Sequence, residues 1–412
     1  MKCFVLLLVI IAIISSNCTN MEKVKENGNS FYSINFSAMI KDKRSMSLSS
    51  ISESIDYIEL ETNKLSVLSN IHDVKFTKEY IFIKHGDKLL AQFDRKGNFL
   101  RNIGVRGKGP GEYLGIREFS LDEKNYFIYI QANWTKQILK YSFGGKYLKT
   151  FFLNKDDIEI VWSRDSMFMC FSEPSIGNEK YVFKEINNLG DTIQGVKNYC
   201  LWNEKKISNS MYRFHGRNIF YRINNKLHFK GEFNDTVYTL DNNNKITPKF
   251  YVDLKSHHLP SELRLERGYE PRGIPSEYYW DCLRETDRYI FIHYATFTPN
   301  ETETKLLDDG YIMYDKKNKD GSALLVNNGE YGFINDLDGG MNFIPKYSND
   351  SLAFQIIETT ELKNYMSTNK FHEQDHKKSQ LYENLKVRIS KLNENDNPVI
   401  MVVKLKKNSH LD

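Results

Sequence analysis

The sequence predicts an all-β protein: a six-bladed β-propeller of four-stranded antiparallel blades, with an amphipathic helix inserted in the last blade. Three observations carry this reading. Short apolar strands recur in groups of four, separated by turn residues. The hairpin turn Asp94–Asn98 is matched by Ser142–Lys146, about 48 residues later, which is a blade-length period. The 412-residue chain also holds 25 Tyr and 26 Phe, side chains that pack well across strands.

The N-terminus comes before the repeats. Lys2 precedes an unbroken apolar run from Phe4 to Ile14, too short to span a bilayer, and Ser15-Ser16-Asn17 follow. Residues 1–17 therefore read as a secretory signal peptide. Cys18, directly after small polar residues, is the expected lipidation site, and residues 18–50 are expected to be a tether. Residues 51–412 are assigned to the propeller.

The first unit runs through Asp73–Phe76, Tyr80–Ile83, Leu89–Phe93 and Asn98–Ile103. Gly97 supplies the positive φ its outer hairpin needs. The second runs through Glu118–Leu121, Phe127–Ile130, Gln137–Tyr141 and Lys146–Phe151. Glu185–Asp191, Val237–Lys245 and Met313–Gly321 are outer hairpins of the next three units, the last stretched by an insertion from Thr298 to Asp309. Gly339 to Ile357 opens a sixth unit, continued by Pro398–Leu405, and Tyr57–Leu60 is the N-terminal strand that closes it. Ring closure of this kind protects sheet edges. Within the sixth unit, Leu381, Leu385, Ile389 and Leu392 form an apolar stripe, which predicts a helix over about 371–393.

Gly104–Gly111 packs four glycines and a proline into eight residues. A phosphate loop would need Gly-Lys-Ser/Thr and a helix straight after it, whereas Glu112-Tyr113-Leu114 follow here. In a four-stranded blade the outer strand ends on the face where the link to the next inner strand crosses. The loop is thus expected on that upper face, directed towards the channel mouth. It offers Arg106, Lys108, Glu112 and Tyr113, with Arg117 just inside, as candidate ligand-binding residues for an anionic or sugar-like ligand. The alternative is that Glu112 and Tyr113 pin the loop to neighbouring blades.

Other motifs are weaker. His372–His376 matches HExxH, whose two histidines would share a helix face. Asp375 inside the string and Lys377-Lys378 after it mark solvated residues at a helix start, and no third ligand is evident. His257-His258 before Pro260 reads as a turn, and the carboxylate pairs Asp156-Asp157 and Asp308-Asp309 lie in polar loops. No Gly-x-Ser-x-Gly elbow is present. No catalytic residue, metal or cofactor is assigned, although a propeller channel assembles residues from distant loops. A net charge of +4 is too balanced to indicate nucleic acid. Cys3 leaves with the signal, so Cys170, Cys200 and Cys282 allow at most one internal disulfide.

Tyr57–Thr62, the Gly107–Tyr113 loop, Phe233–Tyr238 and the Asp396–Met401 ending together resemble the six-bladed β-propeller lipoproteins of Bacteroidetes, relatives of NHL-repeat propellers. The stretches Trp162–Cys170 and Thr298–Asp309 depart from the pattern. The resemblance implies the fold and export to the cell envelope, on the outer membrane, and no particular reaction. The function expected is binding of a glycan, a peptide or an envelope partner protein, with contact to the membrane only through the lipid. The alternative is a propeller hydrolase or lyase with its site at the channel mouth.

One acyl chain anchors a protein only weakly, so stable attachment requires multiple acylation of Cys18. A fatty-acid analogue should label the wild type and not Cys18→Ser. Equal labelling of both would refute the assignment.

Overall fold

The computed structural model describes residues 31–86, 89–133, 137–153, 159–172, 179–198, 220–231, 234–255, 277–299, 304–325, 331–368, 371 and 379–407. The N-terminal part forms a belt: β1 (Tyr32–Ile34), α1 (Phe36–Met39), β2 (Lys43–Arg44), α2 (Leu48–Ile51) and β3 (Ser52–Glu59). Six sheets follow. Blade 1 is β4 (Asp73–Phe76), β5 (Tyr80–His85), β6 (Leu89–Asp94) and β7 (Phe99–Asn102). A short parallel pair, β8 (Val105–Arg106) and β9 (Glu112–Tyr113), links it to blade 2. Blade 2 is β10 (Ile116–Asp122), β11 (Phe127–Ala132), β12 (Gln137–Ser142) and β13 (Tyr147–Phe152). Blade 3 is β14 (Glu159–Arg164), β15 (Met167–Phe171), β16 (Tyr181–Ile186) and β17 (Thr192–Lys197). Blade 4 is β18 (Phe220–Ile223), β19 (Lys226–Phe229), β20 (Thr236–Leu240) and β21 (Ile246–Val252). Blade 5 is β22 (Glu277–Glu285), β23 (Tyr289–Pro299), β24 (Thr304–Asp315) and β25 (Asp320–Leu324). Blade 6 is β26 (Tyr347–Ser348), β27 (Leu352–Ile357), β28 (Val399–Leu405) and, outermost, β3.

The ring closes where β3 pairs antiparallel with β28, from Val399 opposite Glu59 to Leu405 opposite Ser52. Gly97 sits against this seam with φ +91°, where a Cβ would collide with the Glu59 carbonyl. Turn conformation and close approach therefore require glycine at the same position. Six apolar clusters fill the ring, one at each junction between neighbouring blades. Burying each large apolar side chain there contributes roughly 1.5–3 kcal/mol before conformational entropy is counted.

The tether expected over 18–50 ends earlier. From Phe31 the chain is folded, because Ile34, Phe36, Met39, Leu48 and Ile51 are buried. β1 adds to blade 4 as a parallel fifth strand, with Tyr32, Ser33 and Ile34 opposite Phe250, Tyr251 and Val252. β2 does the same on blade 5, opposite Ala323 and Leu324. Residues 18–30, including Cys18, lie outside the described residues, as does the signal peptide.

The insertion in blade 5 is a lengthened hairpin of 11- and 12-residue strands. Between β27 and β28 the chain forms α3 (Thr359–Met366) and α4 (Gln380–Ser390). Within the helix expected over about 371–393, residues 372–378 lie outside the described residues; the described helix is Gln380–Ser390, whose N-cap Ser379 side chain accepts from the Tyr382 amide. Its buried face is Tyr382, Leu385 and Ile389, while Leu381 is 44% exposed. Tyr382 displaces Leu381 from the expected stripe because its ring stacks on Phe371 at 4.5 Å. Trp162–Cys170, expected to depart from the family pattern, lies in the β14–β15 hairpin, whose register shifts between Trp162 and Arg164. His257-His258 and the HExxH string lie outside the described residues.

Phe36 is fully buried and meets Tyr294 edge-on at 5.7 Å. Phe36→Ala should cost about 3–5 kcal/mol in urea unfolding. An unchanged midpoint would return the segment to the status of a tether.

Candidate functional site

Each blade puts its first strand at the axis, and together these strands enclose a channel of about 1630 Å³. The outer-to-inner links cross at the upper end. At the lower end each inner strand turns into the second strand of its blade. Channel-lining residues come chiefly from the inner strands and these lower turns, among them Thr77–Glu79, Glu123–Tyr126 and Asn349–Ser351, with Lys84, Phe143 and His293 added from farther out in the blades.

In the upper part, Lys75 is held between two carboxylates. Its Nζ lies 3.2 Å from Asp73 Oδ2 and 2.8 Å from Glu118 Oε1, donates to the Phe119 carbonyl, and sits 4.2 Å from the Phe119 ring. Burial disfavours the charged ammonium, but Glu118 and Asp73 outweigh it and raise its pKa. Burial likewise opposes ionisation of Asp73, and Lys75 and Lys84 reverse that, so its pKa falls. These residues hold a fixed ion-pair triad facing the channel.

The lower part is built around Arg222. Its guanidinium donates to the carbonyls of Trp162 at 2.7 Å, Ser163 at 2.8 Å and Asn225 at 3.0 Å, and lies 4.5 Å over the Trp162 ring. Burial lowers its pKa to about 10 against the pull of Asp122 and Glu123. Trp162 stacks in turn on Tyr129 at 5.7 Å. Glu123 and Asp350 share this end. Burial raises the pKa of each, with a further push from Asp350 on Glu123 and from Asp287 on Asp350. Two carboxyls with raised pKa values thus stand at one mouth. Tyr80, Tyr126 and Phe143 add aromatic edges there, and Tyr126 donates to Glu79 at 2.9 Å.

A buried ionic cluster supports the wall between blades 4 and 5. Glu285 is fully buried and accepts from Lys249 at 2.7 Å, Lys316 at 2.9 Å and Tyr221 at 2.8 Å. Burial opposes its charge, but Lys249, Lys316 and His228 outweigh it and lower its pKa to about 2. His228, ring-stacked near Tyr221, is lowered to about 3 by burial and by Lys249.

The five candidate residues separate. Arg117 lines the channel at its upper end, where its carbonyl accepts from Lys84 at 2.9 Å. Arg106, Lys108, Glu112 and Tyr113 are outside the channel lining. Tyr113 is 2% exposed and donates to the Ile103 carbonyl, while Glu112 accepts from the Gly109 amide at 2.8 Å. Tyr141 donates to the Gly111 carbonyl at 2.6 Å, and a Cβ at Gly104 would strike the Tyr113 and Tyr141 rings. The glycines let the loop lie flat between blades 1 and 2, and Glu112 and Tyr113 fasten it. Arg106 and Lys108 are exposed. The channel charges Lys75, Glu118, Glu123, Arg222 and Asp350 were not among the sequence candidates. One signal could have found several of them: alternate polar positions on the first strand of a unit, such as Asp73 and Lys75, or Glu118, Ser120 and Asp122. Among the described residues no group of three or more His, Cys, Asp or Glu could hold a metal.

The buried cluster sets an acid limit on stability. His228 ordinarily titrates near 6.5 and does so near 3 when folded, so the unfolded chain binds more protons between these values. Its contribution is complete above about pH 6.5 and is lost on falling towards 3. Glu285 adds a loss below about 4.5, down to its folded value of about 2. The unfolding midpoint should fall from pH 7 to pH 4, and His228→Leu should flatten the part between 6.5 and 4.5. An identical pH profile in that variant would contradict the assignment.

A crystal structure of a Bacteroides fragilis protein assigned as exported superposes with TM-score 0.66, at 18% identity, covering 92% of this chain and 100% of that one. A member of the DUF4221 family from Bacteroides vulgatus gives TM-score 0.47 at 11% identity, covering 87% of this chain and 98% of that one. The first likeness supports the fold. No curated protein matches the sequence. The model of the family described as Domain of unknown function (DUF4934) matches residues 31–404, the whole ring with its belt. The chain belongs to the DUF4934 family.

Proposed function

We propose that the protein is an exported binding module, lipid-anchored through Cys18 in the cell envelope, that holds a glycan or a peptide in its channel. The channel carries this reading. Its volume, about 1630 Å³, exceeds that of ordinary small-molecule pockets and suits an extended ligand. Its lining pairs fixed charges with aromatic rings, the combination that orients sugars and peptides. Arg117 and Lys84 at the upper end supply cations for an anionic group, and Arg106 and Lys108 extend positive charge along the same face. An envelope partner protein bearing such a segment is a ligand of the same kind.

A second reading rests on Glu123 and Asp350. Two carboxyls with raised pKa values at one mouth are suited to proton transfer in a hydrolase or lyase.

Titration with panels of oligosaccharides and short peptides, followed by Trp162 fluorescence, tests both. One class should bind saturably, and Arg117→Glu should weaken it by about tenfold or more, roughly 1.4 kcal/mol, with Tm unchanged. Binding indifferent to Arg117→Glu, or none in either panel, would defeat the channel proposal. Ligand cleavage lost in Glu123→Gln or Asp350→Asn would establish the enzyme instead.

A further inference from the structure

The outer edges of the blades are not treated alike. Blade 4 receives β1 and blade 5 receives β2, each as a parallel fifth strand. Blade 6 ends in β3, the chain's own closing strand. Blade 1 is flanked by the link after β3, where Glu61 accepts from the Phe99 amide at 2.8 Å and the Leu65 carbonyl accepts from Asn102. In blades 2 and 3, β13 and β17 are the last strands of their sheets among the described residues.

The registers of blades 2 and 4 correspond. Ile138 pairs with Phe151 and Gln137 with Phe152. At the same level of blade 4, Val237 pairs with Phe250 and Thr236 with Tyr251. Phe151-Phe152-Leu153 is therefore the counterpart of Phe250-Tyr251-Val252, the triplet that β1 covers. Burial alternates in the same way. Phe151 and Leu153 are buried, as are Phe250 and Val252. Between them, Tyr251 is partly covered, whereas Phe152 is 69% exposed. A large aromatic ring stands in water where its counterpart has a strand beside it.

We propose that Phe151–Leu153, the last two residues of β13 and the one after it, accept an extended segment of another protein as a parallel fifth strand. The partner segment carries apolar residues at alternate positions and acidic flanks. Main-chain hydrogen bonds supply affinity in this mode, and alternate side chains supply selectivity. The apolar pattern is that of Tyr32-Ser33-Ile34, in which Tyr32 stacks on Phe250 at 5.4 Å and Ile34 is fully buried. The acidic preference follows from Lys146 and Lys149, both exposed on this edge. The same lysines disfavour a second copy of the chain, because edge lysines brought together repel. This proposal is independent of the channel reading.

The probe is a labelled synthetic peptide, Asp-Asp-Tyr-Ser-Ile-Asp-Asp, followed by fluorescence anisotropy with the intact protein. Saturable binding is expected. It should weaken by about tenfold or more in Phe152→Glu, a change at an exposed side chain that leaves the fold intact by circular dichroism. A peptide N-methylated at its isoleucine should lose binding to the same degree: the Ile34 carbonyl accepts from the Asp253 amide, so the amide on that side of the strand is the one that faces the edge. Lys149→Glu should transfer preference to the peptide with lysine flanks. No saturation up to about 1 mM, or binding that survives both Phe152→Glu and N-methylation, overturns the proposal. Self-association abolished by Phe152→Glu overturns it as well, by making a second copy the occupant.

Discussion

Everything in this molecule depends on one seam, the pairing of β3 with β28. A propeller left open would lose a strand from blade 6, expose two blade faces and lose the channel. The seam is reinforced on both sides. Asn397, just before β28, donates to the carbonyls of Glu61 and Ser66 at 2.8 Å each and accepts from the Leu68 amide at 2.8 Å. One buried amide thereby ties the last strand to the link that leaves β3. The belt then carries the N-terminal chain across blades 4 and 5 before it enters blade 6. Its apolar residues occupy clusters that those blades could not fill alone. Opening the seam therefore costs belt packing as well as a ladder of hydrogen bonds.

A closed ring forces charged side chains into a confined axis, and the two ends resolve this differently. At the upper end pairing wins over desolvation: Lys75 is flanked by two carboxylates within about 3 Å and stays charged. At the lower end desolvation is the larger effect on Glu123 and Asp350, whose pKa values are raised. Arg222 satisfies its donors with backbone carbonyls, so it stiffens the wall more than it offers charge. The wall between blades 4 and 5 shows a third solution, one buried carboxylate shared by two lysines. Removing one member of such a group costs more than the group contributes as a whole, because it strands the remaining charges.

The blades were legible because a two-residue period and turn chemistry are local signals. Asp73–Phe76 and Gly97 were placed correctly from neighbouring residues alone. The belt was not legible. Ile34 and Phe36 sit among polar residues, and their burial depends on blades more than 200 residues away. The helix stripe misplaced Leu381 for a similar reason, since the contact that selects Tyr382 comes from Phe371 outside the helix. In the glycine-rich loop the sequence left two roles open for Glu112 and Tyr113. Glu112 and Tyr113 are fastened within the loop, to Gly109 and Ile103, and the Tyr141 hydroxyl reaches Gly111 only once blade 2 is folded beside it. The channel charges were hidden in another way. Lys75 and Glu118 are ordinary strand residues until the ring brings their strands together.

The channel is the proposed ligand site, and the blade edges are a separate surface. Hydrogen exchange, compared with and without the oligosaccharide or peptide that binds, tests this most directly. Slower exchange is predicted at the inner strands and their lower turns, in residues 73–79, 117–126 and 347–351. Protection confined to the outer strands, with these segments unchanged, would contradict it.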